Sequence, residues 1–162
     1  HPADLLIVDD GSTDGTRDLL AGHDVVCIRF PQNRGKGAAL CAGFEYAVRH
    51  GYRSVVTLDA DLQHLPEEIP RLSACDDGSH LVIGTRRISL KNMPFSRWFT
   101  NNLTSIIVSI FTTRRIRDSQ SGFRLIPAAL LRTVNLKATD YDLESELLFK
   151  AGMLGCGISE VE

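Results

Sequence analysis

The sequence contains no closely spaced pair of cysteines. A zinc site of the C-x-x-C type needs two cysteines a few residues apart, and a small secreted scaffold needs a dense cysteine pattern. Neither pattern is present, so both classes are excluded and we expect reduced, buried thiols in a cytoplasmic compartment. The four cysteines are Cys27, Cys41, Cys75 and Cys156.

A long hydrophobic run is also missing. The most apolar stretch, residues 103–111, is much shorter than the about 20 residues that a membrane-spanning helix needs. No leader peptide opens the chain, so we expect a soluble chain. Because residue 1 is not methionine and a strand pattern starts at the last residues, we expect both ends to be cut from a longer protein.

Acidic residues are absent from residues 86–117, which carry seven basic residues. Aromatic residues lie among these bases, an arrangement that suits the boundary between lipid headgroups and acyl chains. The alternative is a solvated basic face whose aromatic residues belong to the core. Both interpretations stay open. The bases are Arg86, Arg87, Lys91, Arg97, Arg114, Arg115 and Arg117, and the aromatic residues are Phe95, Trp98 and Phe99.

Short apolar runs alternate with helical patterns, which is typical of an α/β domain with a largely parallel sheet. The strands are predicted at residues 5–8, 25–30, 54–58 and 81–84. Helical spacing predicts helices at residues 38–49, 95–113 and 142–151, and Pro66 marks the first turn of another. Without repeats or linkers, residues 1–162 form one domain.

Three of the predicted strands end in polar clusters: Asp9-Asp10 after the first, Asp59-Ala60-Asp61 after the third and Arg86-Arg87 after the fourth. The carboxyl ends of parallel strands share one edge of a sheet, where ligands bind. The chain direction therefore predicts that these clusters meet in one crevice.

Asp59 and Asp61 carry the sharpest chemical signal. Residues i and i+2 of an extended segment point the same way, and two adjacent carboxylates repel unless a cation lies between them. Mg²⁺ and Mn²⁺ prefer oxygen ligands, and Gln63 can add an amide oxygen. The alternative is a turn whose acids are simply solvated.

The first acidic cluster and the glycine-rich segment 33–37 point to an anionic or nucleotide ligand. We expect Asp14 to cap the helix that starts near Thr16, and Asp10 to contact a ligand. Glycines before a helix let backbone N–H groups approach an anion, and Lys36 adds charge. The segment is not a Walker P-loop, and no G-x-G-x-x-G follows a strand, which disfavours a dinucleotide-binding oxidoreductase.

These clusters, in this order, resemble inverting glycosyltransferase family 2, and among its members the polyprenyl- and dolichyl-phosphate sugar transferases. The resemblance implies a GT-A fold in which the sheet lacks the family's first strand, since the chain starts after the motif I-P-x-Y-N-E. The matching segments are VDDGSTDGT (8–16), NRGKGAAL (33–40), VVTLDADLQHLPEE (55–68), GTRR (84–87), DSQSGFRLI (118–126) and the acidic helix from Tyr141.

The resemblance also assigns roles to individual residues. Residues 1–87 form the half that binds nucleotide sugar and metal, and residues 88–162 form the acceptor half. Asp59, Asp61 and Gln63 hold the metal, and Asp61, Glu144 and Arg86 are the catalytic candidates. The donor-binding residues are Asp9, Asp10, Lys36, Asp59, Ala60 and Arg86, and the acceptor-binding residues are Arg97, Ser121 and Arg124.

The function implied is transfer of a sugar from a nucleotide diphosphate sugar, with Mg²⁺ or Mn²⁺ acting on the leaving diphosphate. A polyprenyl phosphate acceptor needs no general base, whereas a saccharide hydroxyl needs one, for which Glu144 or Asp142 is the candidate. We expect the enzyme at the cytoplasmic face of the membrane, with no nucleic acid partner. The alternatives are a receiver-like phosphoacceptor domain and an inactive nucleotide-binding module.

Overall fold

A computed structural model describes residues 4–85, 116, 118–119, 121–137 and 142–161. Every structural statement below concerns these residues. The helix predicted at residues 95–113 and all seven bases of the acid-free segment lie outside them.

Six strands form two sheets. In the first sheet, β1 (Leu6–Asp9) pairs in parallel with β2 (Val26–Arg29). The second sheet has the order β3-β5-β4-β6. In it β4 runs parallel to β6, and β5 runs antiparallel to both β3 and β4. The strands of the second sheet are β3 (Ser54–Thr57), β4 (His80–Gly84), β5 (Arg124–Pro127) and β6 (Gly157–Val161).

In the described parts of the chain, five α-helices lie between these strands. The longest, α2, has apolar residues at helical spacing, and its side chains Phe44 and Ala47 are buried. It contacts both β1 and β3 and so lies against both sheets. None of the described helices is long and apolar enough to cross a membrane. The helices are α1 (Thr16–Leu20), α2 (Lys36–Arg49), α3 (Ile69–Ser73, after a 3-10 turn at Pro66–Glu68), α4 (Ala128–Thr133) and α5 (Leu143–Met153).

The main core lies between α2, α5 and the central strands of the second sheet. It contains Phe44 of α2, Ile83 of β4, Ile126 of β5 and Leu147 of α5. On the other face of the sheet a smaller cluster centres on Leu72, which packs with side chains of β4 and β5. Each of these buried side chains contributes about 1.5–3 kcal/mol to folding, so both helices are firmly attached to the sheet.

In the second sheet β3, β4 and β6 run in one direction, and both pairings of β5 are antiparallel. The structure confirms most of the predicted elements and the α/β class. It differs in dividing the strands between two sheets, and in adding β5 and α4, which the sequence did not predict. The reversed direction of β5 has a functional consequence. Because Thr57 is paired with Arg124, the loop that leads into β5 enters at the edge where β3 ends.

Candidate functional site

Asp59 lies at the point where the end of β3 meets the loop leading into β5. Thr57 Oγ1 donates a hydrogen bond to the Gly122 carbonyl at 2.7 Å, which fixes that loop beside β3. A Cβ atom on Gly122 would lie only 2.3 Å from Asp59 Oδ2. A larger residue at position 122 would therefore displace the Asp59 carboxylate, so Gly122 makes room for it.

Lys36, the first residue of α2, joins Asp59 to α5. Its Nζ lies 2.7 Å from Asp59 Oδ2 and 2.7 Å from Glu144 Oε1. Burial lowers the pKa of Lys36, but the hydrogen bonds with both carboxylates outweigh it, and the pKa stands above its ordinary value of 10.5. The ammonium group is therefore charged at neutral pH and bridges the two carboxylates.

The loop after β3 presents Asp61 and Gln63 to solvent. Asp61 Oδ1 accepts a hydrogen bond from the backbone N–H of Gln63 at 3.0 Å. Between them Leu62 adopts a φ of 60° and is 78% exposed. Among the described residues it alone, apart from glycines, has positive φ, a conformation that costs about 1 kcal/mol or more. Ala60 is exposed in the same loop.

His64 links this loop to the loop before β5. Its Nδ1 lies 3.2 Å from Glu68 Oε2 and its Nε2 lies 3.5 Å from Ser121 Oγ. Its ring also packs against Phe123, with the ring centroids 4.7 Å apart. Burial raises the pKa of Glu68, but the hydrogen bond with His64 and the one from the Leu65 N–H bring it below its ordinary value of 4.5.

The two acids at the end of β1, Asp9 and Asp10, make different contacts. Asp9 is buried, and its Oδ1 accepts the Ser12 N–H at 2.8 Å. Hydrogen bonds from Ser12 hold the pKa of Asp9 below its ordinary value. Asp10 accepts the N–H of Arg34 at 2.7 Å and of Gly35 at 2.9 Å. Asp10 therefore ties the end of β1 to the segment that leads into Lys36.

Arg124 and Ser121 lie inside the protein. Arg124 is 1% exposed, and its guanidinium donates to the carbonyls of Ser121, Glu144 and Ser119, each at 2.7 Å. Burial lowers the pKa of Arg124 to about 10. Ser121 is fully buried, and its Oγ donates to the Gly84 carbonyl at 2.6 Å. These contacts favour a positioning role for both residues over direct contact with an acceptor.

Apart from the buried Ser121 and Arg124, the predicted site residues in the described part of the chain fall into three groups. Lys36, Asp59 and Glu144 come together around one ammonium group. Asp61, Gln63 and Ala60 lie in the loop that follows Asp59. At the end of β1, Asp10 supports the loop before α2, and Asp9 accepts a hydrogen bond from Ser12. Arg86 and Arg97 lie outside the described residues.

The donor set around Asp59 fits a hard divalent cation. Asp59 and Asp61 supply carboxylate oxygens and Gln63 an amide oxygen, the ligand type that Mg²⁺ and Mn²⁺ take. Asp59 Oδ2 already has a cation, the Lys36 ammonium, at 2.7 Å. Within the described part of the chain, no group of three or more His, Cys, Asp and Glu side chains is placed to hold a metal ion by itself.

Sequence reasoning missed two supporting residues. Gly122 leaves room for the Asp59 carboxylate, and Glu68 pairs with His64. The glycine in the motif Ser121-Gly122-Phe123-Arg124 was the available signal for the first. For Glu68 it was the four-residue spacing to His64 across the start of a helix.

Comparison with known proteins identifies a family that this chain matches. Residues 2–138 match the model of glycosyl transferase family 2. The undecaprenyl-phosphate mannosyltransferase of Micrococcus luteus is 34% identical over 98% of this chain and 70% of its own length. The polyprenol monophosphomannose synthase of Mycolicibacterium smegmatis is also 34% identical, over 97% of this chain and 64% of its own.

A solved structure shares the fold. Glucosyl-3-phosphoglycerate synthase from Mycobacterium tuberculosis, crystallised with Mn²⁺, uridine diphosphate and phosphoglyceric acid, aligns with a TM-score of 0.74 at 23% identity. The alignment covers 98% of this chain and 57% of that one, so this chain corresponds to a little more than half of that enzyme. The family match, the relatives and the shared fold together show that the chain belongs to glycosyltransferase family 2.

Proposed function

We propose that this protein transfers a sugar from a nucleotide diphosphate sugar to a polyprenyl phosphate. The observation that carries the proposal is the Lys36 ammonium group, which lies 2.7 Å from both Asp59 and Glu144. It brings charged side chains from the end of β3, from α2 and from α5 together at one place. It also pairs with Glu144, the candidate base for a hydroxyl acceptor.

On the donor side, Asp59, Asp61 and Gln63 would hold Mg²⁺ or Mn²⁺ with the diphosphate. The bound cation would supply Lewis-acid stabilisation of the charge that develops on the leaving diphosphate. Asp10 supports binding indirectly, by fixing the loop before α2 through the N–H groups of Arg34 and Gly35. Arg86, which follows β4 in the sequence, is the further candidate for a phosphate contact.

On the acceptor side, the geometry favours a nucleophile that is already ionised. A general base must be free to take a proton, whereas the Glu144 carboxylate is buried and ion-paired with Lys36. A lipid phosphate carries negative charge near neutral pH and needs no base. The names of both relatives, undecaprenyl-phosphate mannosyltransferase and polyprenol monophosphomannose synthase, contain a polyprenyl-type lipid, which supports the same choice.

The loop that leads into β5 would then shape the acceptor end of the site. Ser121 and Arg124 hold it in place through the Gly84, Ser119 and Glu144 carbonyls. Arg97 and the other bases of residues 86–117 would meet the lipid phosphate and the anionic membrane surface, each contributing about 1 kcal/mol near such a surface. The enzyme would work at the cytoplasmic face of the membrane.

A transfer assay tests the proposal. The protein is incubated with Mn²⁺, a panel of radiolabelled nucleotide sugars, and either undecaprenyl phosphate in detergent or a soluble saccharide. We expect one nucleotide sugar to give label in the organic phase with undecaprenyl phosphate only. Labelled saccharide without labelled lipid would show that the acceptor is a hydroxyl group, for which Glu144 is the candidate base.

A further inference from the structure

The contact between Lys36 and Asp59 has a consequence for metal binding. Lys36 Nζ lies 2.7 Å from Asp59 Oδ2 and its side chain is about three-quarters buried, with 25% exposed. Asp59 is also one of the three residues proposed above to hold the divalent cation. One oxygen of a metal-binding carboxylate is thus already in contact with a positive charge of the protein itself.

We propose that Lys36 is an internal counter-cation, which opposes metal binding at Asp59 until a diphosphate gives its ammonium group another partner. The inference rests on the proposed function, because it concerns the same donor site. It goes further in assigning Lys36 an effect on how the two ligands influence each other. The nucleotide and the metal bind cooperatively, and Lys36 causes a large part of this cooperativity.

The physical reason is charge repulsion at short range. A divalent cation and an ammonium group that share one carboxylate repel each other strongly. The site is partly buried, so charges there are screened less than they are in bulk water. Lys36 keeps one partner, Glu144, when it leaves Asp59, since the two contacts are made to different carboxylates. The ammonium group can therefore turn towards a phosphate without losing all its counter-charge.

Nucleotide and metal then assist each other. A diphosphate near Lys36 supplies the negative charge that Asp59 supplied before, which frees the Asp59 oxygen for the cation. By linkage, the factor by which the nucleotide raises metal affinity equals the factor by which the metal raises nucleotide affinity. Any metal–nucleotide pair shows some coupling by direct contact, so the specific signature of Lys36 is its effect on metal binding in the absence of nucleotide.

The test measures Mn²⁺ binding by calorimetry, with and without uridine diphosphate or guanosine diphosphate. Lys36→Met removes the charge at similar length, and Lys36→Gln is a second uncharged variant that keeps a polar side chain. Lys150→Met is the matched control, because Lys150 also pairs with a carboxylate of α5. Its partner is Glu146, at 2.6 Å, and not Glu144. Thermal melting checks that each variant is folded.

In the wild-type protein we expect nucleotide to raise Mn²⁺ affinity by about tenfold or more, within the usual range of coupling between sites. Both Lys36 variants should bind Mn²⁺ alone several-fold more tightly than wild type, and nucleotide should then raise that affinity less. The Lys150 variant should behave as wild type.

Two results would overturn the inference. The first is Lys36 variants that bind Mn²⁺ alone no better than wild type and retain its full coupling, in which case Lys36 has no influence on metal binding and the proposed function is untouched. The second is a wild-type protein whose Mn²⁺ affinity does not change with nucleotide, which needs no variant to observe. A wild-type protein that binds neither Mn²⁺ nor nucleotide would instead contradict the proposed donor site itself, and the inference with it.

Discussion

Arg124 Nη1 donates a hydrogen bond to the Glu144 backbone carbonyl at 2.7 Å, across twenty positions of sequence. The bond joins the first residue of β5 to the first turn of α5. Since Glu144 also pairs with Lys36 at the start of α2, one short chain of contacts fixes three elements around the proposed site. Arg124 thus determines where the Glu144 carboxylate lies without facing solvent itself.

The first prediction is that Arg124→Ala destabilises the fold. It removes the donors of three buried hydrogen bonds, and each buried carbonyl left unpaired costs about 1–3 kcal/mol. We expect the free energy of unfolding, measured with urea, to fall by about 3 kcal/mol or more. Arg132→Ala, at an exposed position of α4, is the control and should change it by less than about 0.5 kcal/mol. If Arg124→Ala keeps its stability but loses transfer to lipid phosphate, Arg124 binds the acceptor directly.

The second prediction concerns Asp10→Asn. The carboxylate accepts two backbone N–H groups, and an amide has only one acceptor oxygen, so one bond is lost. We expect a loss of about 1–2 kcal/mol of unfolding free energy together with weaker nucleoside diphosphate binding, because Lys36 follows the loop that Asp10 holds. Asp24→Asn, at an exposed position, should change neither. If nucleotide affinity falls at unchanged stability, Asp10 contacts the nucleoside directly.

The third prediction is that Glu68 contributes to the free energy of unfolding and that acid removes this contribution. Its pKa is lower in the folded protein than the ordinary value of 4.5, despite burial, because of hydrogen bonds with His64 and Leu65. A lowered carboxyl pKa stabilises the fold above the ordinary value, and this stabilisation is lost as pH falls through the folded value. Urea unfolding from neutral pH down to about pH 3 should therefore show that the free energy of unfolding falls less with pH in Glu68→Gln than in wild type. Glu67→Gln, at the exposed neighbouring position, should keep the wild-type slope; equal slopes in all three proteins would show that the His64 contact adds nothing.

The fourth prediction separates the two acceptor chemistries at Glu144. If the acceptor is a phosphate, Glu144→Gln removes an ion pair with Lys36 but no base. We expect the turnover number for transfer to undecaprenyl phosphate to fall less than about tenfold, against the 10²- to 10⁴-fold contribution usual for general-base catalysis. A loss of more than about a hundredfold in a variant that melts like wild type would identify Glu144 as the base.

The strands and the acidic motif were predictable because their signals are local. The run Ser54–Leu58 reads as a strand from its own residues, and the carboxylates at positions 59 and 61 follow from its end. By contrast, β5 opens with a charged residue and closes with proline, which hides it in the sequence. It is a strand because Arg124 is satisfied by carbonyls from the loop before it and from α5.

The centre of the site was only partly predictable. Lys36 and Glu144 lie 108 positions apart, and no spacing rule connects residues at that distance. The resemblance named both, but as separate donor and catalytic candidates. Their contact depends on the packing of α2 and α5 against the same face of the sheet. Only the three-dimensional structure reveals this packing.

The measurement that tests the account most directly is calorimetric binding of uridine and guanosine diphosphate in Mn²⁺ and in excess chelator. The proposed site at Asp59, Asp61 and Gln63 predicts binding of at least one nucleotide in Mn²⁺, nearly complete loss in chelator, and a similar loss in Asp61→Asn. Asp24→Asn should bind as wild type does. Equal nucleotide binding with and without metal, or an Asp61→Asn variant that keeps full metal-dependent affinity, would contradict the claim that the end of β3 is a metal-dependent donor site.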